Sequence, residues 1–124
     1  MYDISICVPT IRAQHWQRLY DSIVDSIGEY TFELILCGPY DELDDYLKTK
    51  DNVILIKDYG SPTRAQQIAV SKATGHYVTW GADDGWYYSG MLEKSINILN
   101  AMDDRKAILV SHYIEGNELA LRNY

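Results

Sequence analysis

The stretch Gly75-His76-Tyr77-Val78-Thr79-Trp80-Gly81-Ala82-Asp83-Asp84-Gly85 reads as a short apolar strand running into two adjacent carboxylates and a glycine. A strand that ends in paired Asp on a turn presents oxygen ligands at a sheet edge, where a hard divalent cation and a polyphosphate can meet. Adjacent carboxylates repel, so such a pair is more comfortable with a cation between protein and ligand. Two Asp are too few for a closed calcium cage. They suit Mg²⁺ or Mn²⁺, which keep waters and take further ligands from substrate phosphates. Taken alone, Asp-Asp-Gly reads first as a polar turn, because such triplets are common.

Outward from this stretch, strand and helix signals alternate. Ile4 to Val8 is a β-branched run stopped by Pro9. Trp16, Leu19, Tyr20, Ile23 and Ile27 recur at helical spacing, with Gly28 at the C-cap position. Phe32 to Cys37 is a second strand, Asp41 to Lys48 a short helix with carboxylates in its first turn, and Val53 to Ile56 a third strand. Ser61-Pro62 caps a helix that carries Ala65, Ile68, Ala69 and Ala73 on one face. Tyr77 to Trp80 is the fourth strand. Ser89 caps a helix with Leu92, Ile96 and Leu99 on one side, and Ala107 to Val110 starts a fifth strand. Glu118 to Tyr124 reads as a short last strand or a loose tail.

This alternation predicts an α/β fold, a mainly parallel sheet with helices on both faces, formed by one domain over residues 1–124. Ligands on such sheets sit beyond the carboxyl ends of the strands. Four segments converge there: Pro9-Thr10-Ile11-Arg12, Gly38-Pro39, Asp58 to Arg64, and Ala82-Asp83-Asp84. Arg64, in the first turn after Ser61-Pro62-Thr63, has the surroundings of an anion site, or it is a solvated first-turn arginine. Thr10 reads as a base- or ribose-gripping hydroxyl or as a helix N-cap. His112 is an extra metal ligand, a base or a structural residue. Trp80 and Trp86 bracket the Asp pair; stacking on a sugar and core packing are both open, with core packing the default for Trp80.

Net charge is −7, with 47% hydrophobic and 23% charged residues. That balance argues against nucleic acid as a main partner, since such binding runs on clustered Lys and Arg. Cys7 and Cys37 fall inside apolar runs and read as reduced core residues of a cytoplasmic protein. No apolar run approaches membrane-spanning length, and Met1-Tyr2-Asp3 opens no signal peptide.

The order of these pieces resembles the nucleotide-sugar glycosyltransferases with the GT-A fold, in particular the family-2 inverting group. Ile4 to Thr10, Phe32 to Leu36 and the block from Arg64 to Gly85 carry the resemblance. It spans roughly the whole chain but only the donor-binding half of a usual family member. It implies a Rossmann-like domain that binds a UDP-sugar such as UDP-glucose through Mn²⁺ or Mg²⁺ and transfers the sugar to an acceptor. By that likeness Thr10 touches the nucleotide, Arg64 its base or diphosphate, Asp83 the ribose or sugar, and Asp84 the metal, with His112 as a further candidate ligand. Gln67 falls where such enzymes place a polar residue near the sugar or diphosphate. Pro9, Ile11, Arg12, Gly38 and Ala82 complete the expected donor-binding set.

The carboxylate that usually follows the second strand and reads the uracil ring is replaced by Gly38-Pro39, with Asp41 further along. The inverting reaction also needs a base on the acceptor hydroxyl. Asp58, Asp83 and His112 are the inner candidates, and none matches clearly. The alternatives are a nucleotide-sugar-binding module without transferase activity and a response-regulator-like domain. Pro9-Thr10 and Ser111-His112 fit the last poorly. A missing acceptor half would leave the fifth strand exposed and favour a homodimer.

Overall fold

The computed structural model describes residues 1–102 and 106–110, and the backbone of residues 113–115 and 118–120. It divides into two compact units, Met1–Glu93 and Lys94–Tyr124.

The first unit holds a parallel sheet of β1 (Ile4–Pro9), β2 (Phe32–Gly38), β3 (Val53–Lys57) and β4 (Tyr77–Trp80), in the order β3-β2-β1-β4. Ile4 lies opposite both Phe32 and Tyr77, and Leu34 opposite Val53. β1 and β2 are buried almost throughout. That explains their near-continuous apolar runs, because central parallel strands are covered on both faces.

The chain winds outward from β1 to β3. Helix α2 (Pro62–Ser71) then returns it to place β4 on the other side of β1. Crossovers of one hand put helices on opposite faces when the winding reverses. Accordingly Tyr20 of α1 (Trp16–Ile27) lies against Phe32, on one face of the sheet. Ala65 and Ala69 of α2 pack on Cys7, Ile35 and Cys37, on the other. The side-chain alternation of a strand separates the two sets. The reversal leaves a crevice between the carboxyl ends of β1 and β4.

The local signals explain the helix ends. All five periodic residues of α1 are buried, and Gly28 ends it at φ 63°, a conformation that favours glycine. Ser61 Oγ accepts the Arg64 N–H at 3.2 Å, capping α2 with Pro62 behind it. Cys7 and Cys37 are free buried thiols, and burial together with the nearby Glu33 charge pushes Cys7 up to about 11.

Four sequence expectations are corrected. Residues 41–46 form no helix, and within this segment only Leu47–Thr49 makes one 3₁₀ turn. Asp44 Oδ1 takes the Leu47 N–H, and Asp41 is drawn to Lys57 at 2.5 Å, so the acidic side chains serve local contacts instead of a helix. Helix α3 (Met91–Ala101) starts two residues beyond Ser89, and Ser26 Oγ of α1 accepts its Leu92 N–H at 2.9 Å. Trp80 is 71% exposed instead of packed, because β4 is an edge strand and α2 packs mainly over β1 and β2. Ala107 to Val110 lie in no strand. In the second unit the strands are β5 (Tyr113–Glu115) and β6 (Glu118–Ala120), an antiparallel pair. No helix among the described residues is long and apolar enough to cross a membrane.

Candidate functional site

At the carboxyl ends of the strands lies a cleft of about 270 Å³. It is lined by Pro9, Thr10, Ile11 and Arg12 after β1, Gly38 and Pro39 after β2, Asp58, Gly60, Ser61 and Pro62 between β3 and α2, and Ala82, Asp83 and Asp84 after β4. The four segments singled out in the sequence therefore share one wall-to-wall space, slightly below the ~300–1,000 Å³ usual for small-molecule sites. Of the expected donor-binding set, Arg64 and Gln67 do not line it. The Arg64 Nε lies 3.1 Å from Asp58 Oδ1, and its side chain is 64% exposed. Gln67 is exposed on α2, while its neighbour Gln66 reaches the Cys7 carbonyl at 3.2 Å. His112 lies outside the described residues.

The β1 strand passes close enough to β2 that Gly38 has no room for a side chain. A Cβ there would lie 2.0 Å from the Thr10 carbonyl oxygen, a main-chain atom that cannot turn aside. Gly38→Ala is expected to cost about 2 kcal/mol by forcing the two strand ends apart. Urea denaturation midpoints of the two proteins check this, and an unchanged midpoint would show that the strand ends part freely.

Asp83 is the centre of the site. It is 2% exposed, and its Oδ2 accepts hydrogen bonds from Thr10 Oγ1 (2.9 Å), Ile11 N–H (2.8 Å) and Arg12 N–H (2.8 Å). Its Oδ1 pairs with Arg12 Nη1 at 3.0 Å. Burial alone would raise this carboxyl. The Ile11 N–H, the Thr10 hydroxyl and Arg12 together outweigh burial and hold it below the ordinary aspartate range. A carboxylate so engaged is a brace for the β1 loop and a weak base.

Thr10 is spent in the same network. Its hydroxyl donates to Asp83 and accepts from Trp16 Nε1 at 2.7 Å, so it is not a helix N-cap. The Tyr40 ring stands edge-on to Trp16, and its hydroxyl accepts the Ala13 N–H at 3.2 Å. Nothing local in the sequence marks a contact between residues as far apart as Trp16 and Tyr40.

Asp84 is placed differently. It sits on a turn closed by Gly85 N–H to the Ala82 carbonyl at 3.3 Å, and its side chain is 59% exposed. Asp-Asp-Gly is thus both a turn and a cleft wall. Arg12 Nη1 stands 4.0 Å from Asp84 Oδ2. Arg18 donates to the Asp84 carbonyl at 3.1 Å and lies 4.5 Å from the centre of the Trp86 ring. Across the cleft, Asp58 accepts the Gly60 N–H and the Arg64 guanidinium, and these hold it below its ordinary value.

Among the described residues no group of three or more His, Cys, Asp or Glu is arranged to hold a metal ion. The described residues thus offer no closed cage of the kind that structural Zn²⁺ or Ca²⁺ takes. One accessible carboxylate at the mouth of a cleft does suit Mg²⁺ or Mn²⁺, which complete their shells with water and phosphate oxygens. Asp84 is the residue that fits this.

A parallel sheet ordered β3-β2-β1-β4, with a cleft at the carboxyl ends of its strands, is a Rossmann-like α/β fold. The chain is 27% identical over 117 residues to the uncharacterised glycosyltransferase RP339 of Rickettsia prowazekii (strain Madrid E), covering 89% of this chain and 36% of that protein. The crystal structure of S. aureus TarS 1-349 superposes with a TM-score of 0.61 at 18% identity, over 77% of this chain and 31% of that one. A TarS 1-349 structure in complex with UDP gives 0.60 at 17% identity, with the same coverage. The chain thus spans about a third of the length of these proteins, and the donor-half resemblance drawn from its motifs agrees with the fold. No family model matches it.

Proposed function

We propose that the cleft binds a UDP-sugar and that the chain supplies the donor side of a glycosyl transfer. The observation that carries this reading is the convergence of the β1 loop, Gly38 and the Asp83–Asp84 turn on one cleft, in a fold shared with a UDP-holding structure. In this reading Asp83 fixes the Thr10–Arg12 loop against which the nucleotide lies. Main-chain groups near Gly38 and Pro39, together with Asp58, face the base where the family's usual carboxylate is absent. Asp84 holds Mg²⁺ or Mn²⁺ with the diphosphate. The bound cation would neutralise charge on the departing diphosphate.

The acceptor's proton needs a base of suitable strength. Asp58 and Asp83 are both held low by their hydrogen bonds and ion pairs. This observation favours a second reading, nucleotide-sugar binding without transfer by this chain.

Calorimetric titration of UDP and UDP-glucose with and without Mn²⁺ tests the binding, and UDP release with candidate acceptors separates the two readings. Mn²⁺ is expected to tighten UDP binding, and Asp84→Ala to remove about tenfold or more of that gain. An exposed turn carboxylate contributes little to folding, so the melting temperature of the variant should stay within about 2 °C. Absence of any nucleotide binding would sink both readings.

A further inference from the structure

The Asp83–Asp84 pair already has a cation. Arg12 Nη1 lies 3.0 Å from Asp83 Oδ1 and 4.0 Å from Asp84 Oδ2, and its side chain is 43% exposed at the cleft wall. The other two described guanidiniums, Arg18 and Arg64, have partners of their own. Arg64 is paired with Asp58, and Arg18 is held by the Asp84 carbonyl and the Trp86 ring. Among the described residues Arg12 alone bridges both carboxylates.

Its two bonds are unequal in kind. The contact with buried Asp83 is a hydrogen-bonded ion pair backed by the main-chain N–H of the same residue. The contact with Asp84 is longer, solvated and weak, as exposed pairs are. A divalent cation at Asp84 would meet this guanidinium at close range, and like charges repel. A diphosphate arriving with the cation offers new acceptors to the same planar fork, which suits phosphate oxygens.

We propose that Arg12 is the resident counter-ion of the Asp83–Asp84 pair and passes from Asp84 to the donor's diphosphate when the divalent cation binds. The inference rests on the donor-binding reading above and adds a positioning residue to it. While the cleft is empty, Arg12 offsets the repulsion between the two carboxylates. When cation and diphosphate arrive together, it exchanges one anion for another. The device couples the two ligands: cation alone is resisted by Arg12, and cation with diphosphate is welcomed.

The substitution Arg12→Ala leaves the Thr10 hydroxyl and both main-chain N–H bonds to Asp83 in place, so the loop keeps most of its anchoring. The test uses the wild type, Arg12→Ala and Arg12→Lys. Mn²⁺ binding alone is followed by loss of the free-ion electron paramagnetic resonance signal, and UDP binding in saturating Mn²⁺ by calorimetry. Arg12→Ala is expected to bind Mn²⁺ about threefold tighter and UDP about tenfold more weakly. Arg12→Lys keeps the charge and should lie between the two in both titrations. Opposite signs are the signature, because a damaged loop would weaken both. Changes of the same sign, no change in either, or no Mn²⁺ binding by Arg12→Ala would overturn the proposal. If the wild type binds no UDP, the donor-binding reading fails, and the Mn²⁺ titration still decides whether Arg12 opposes a cation at Asp84.

Discussion

Asp83→Ala is expected to lower stability by about 3 kcal/mol and the melting temperature by about 10 °C at pH 7, and to remove UDP binding with it. The substitution strands the Thr10 hydroxyl and the Ile11 and Arg12 N–H groups, which share one carboxylate oxygen, and it takes the hydrogen-bonded partner from the Arg12 guanidinium, leaving only the longer contact to Asp84. Buried donors left without partners cost more than the hydrogen bonds contributed. Asp83→Asn keeps the shape but not the charge, and should recover only part of the loss. Acid gives the same answer by another route. The folded pKa lies below the unfolded one, so Asp83 adds stability above the unfolded value near 3.8, and that stability is lost as pH falls through the folded value. The gap in melting temperature between wild type and Asp83→Asn should therefore narrow toward pH 3. A variant that melts with the wild type at pH 7 would show that Asp83 braces nothing. Neighbouring Asp84 makes the contrast sharp, since two adjacent and identical residues are expected to separate into folding and binding roles.

The sequence showed the strands of the first unit and the two helices that flank its sheet because each carries its own period. Ile4 to Pro9 is apolar apart from Ser5, and α1 has a buried stripe from Trp16 to Ile27. Chain reversal after β3 then dictated which loops meet, so the cleft was legible as a place. Its contacts were not. Arg12 belongs to the expected donor-binding set, but no sequence signal shows that it stands between both aspartates. Arg64 reads as an anion site or as a solvated first-turn arginine, and the sequence does not show its pairing with Asp58, six residues away. Loop dihedrals and rotamers decide such pairings, and neither has a period. The same limit misplaced the Asp41–Lys48 helix, where short acidic side chains bind nearby groups as readily as they cap a turn.

The second large effect lies at the opposite end of the sheet. Glu33 is the second residue of the apolar β2 and is 2% exposed. In the structure its Oε2 accepts the Ser5 hydroxyl at 2.5 Å, the Thr74 N–H at 2.7 Å and the Thr74 hydroxyl at 2.8 Å, while Ser5 Oγ accepts the Gly75 N–H at 2.7 Å. One carboxylate thereby ties β1, β2 and the turn that leads into β4, over separations of 28 and 41 residues. Burial raises its pKa, but the Ser5, Thr74 and Gly75 donors bring it below the ordinary 4.5. Glu33→Ala removes the common acceptor and opens a buried gap, and is expected to cost about 3 kcal/mol. Glu33→Gln keeps the volume and one acceptor oxygen and should cost less. Because the folded pKa is the lower one, this contribution is present above about pH 4.5 and fades as pH falls through the folded value. Glutamine does not titrate. The difference in melting temperature between wild type and Glu33→Gln should therefore be largest at neutral pH and shrink in acid. A difference that stays constant from pH 7 to pH 3 would mean that the Glu33 charge contributes nothing and its shape everything. Neither outcome touches the cleft directly, since Glu33 lies toward the amino ends of the strands. Its loss would act on the site only through the seating of β4, which carries Asp83 and Asp84 at its far end.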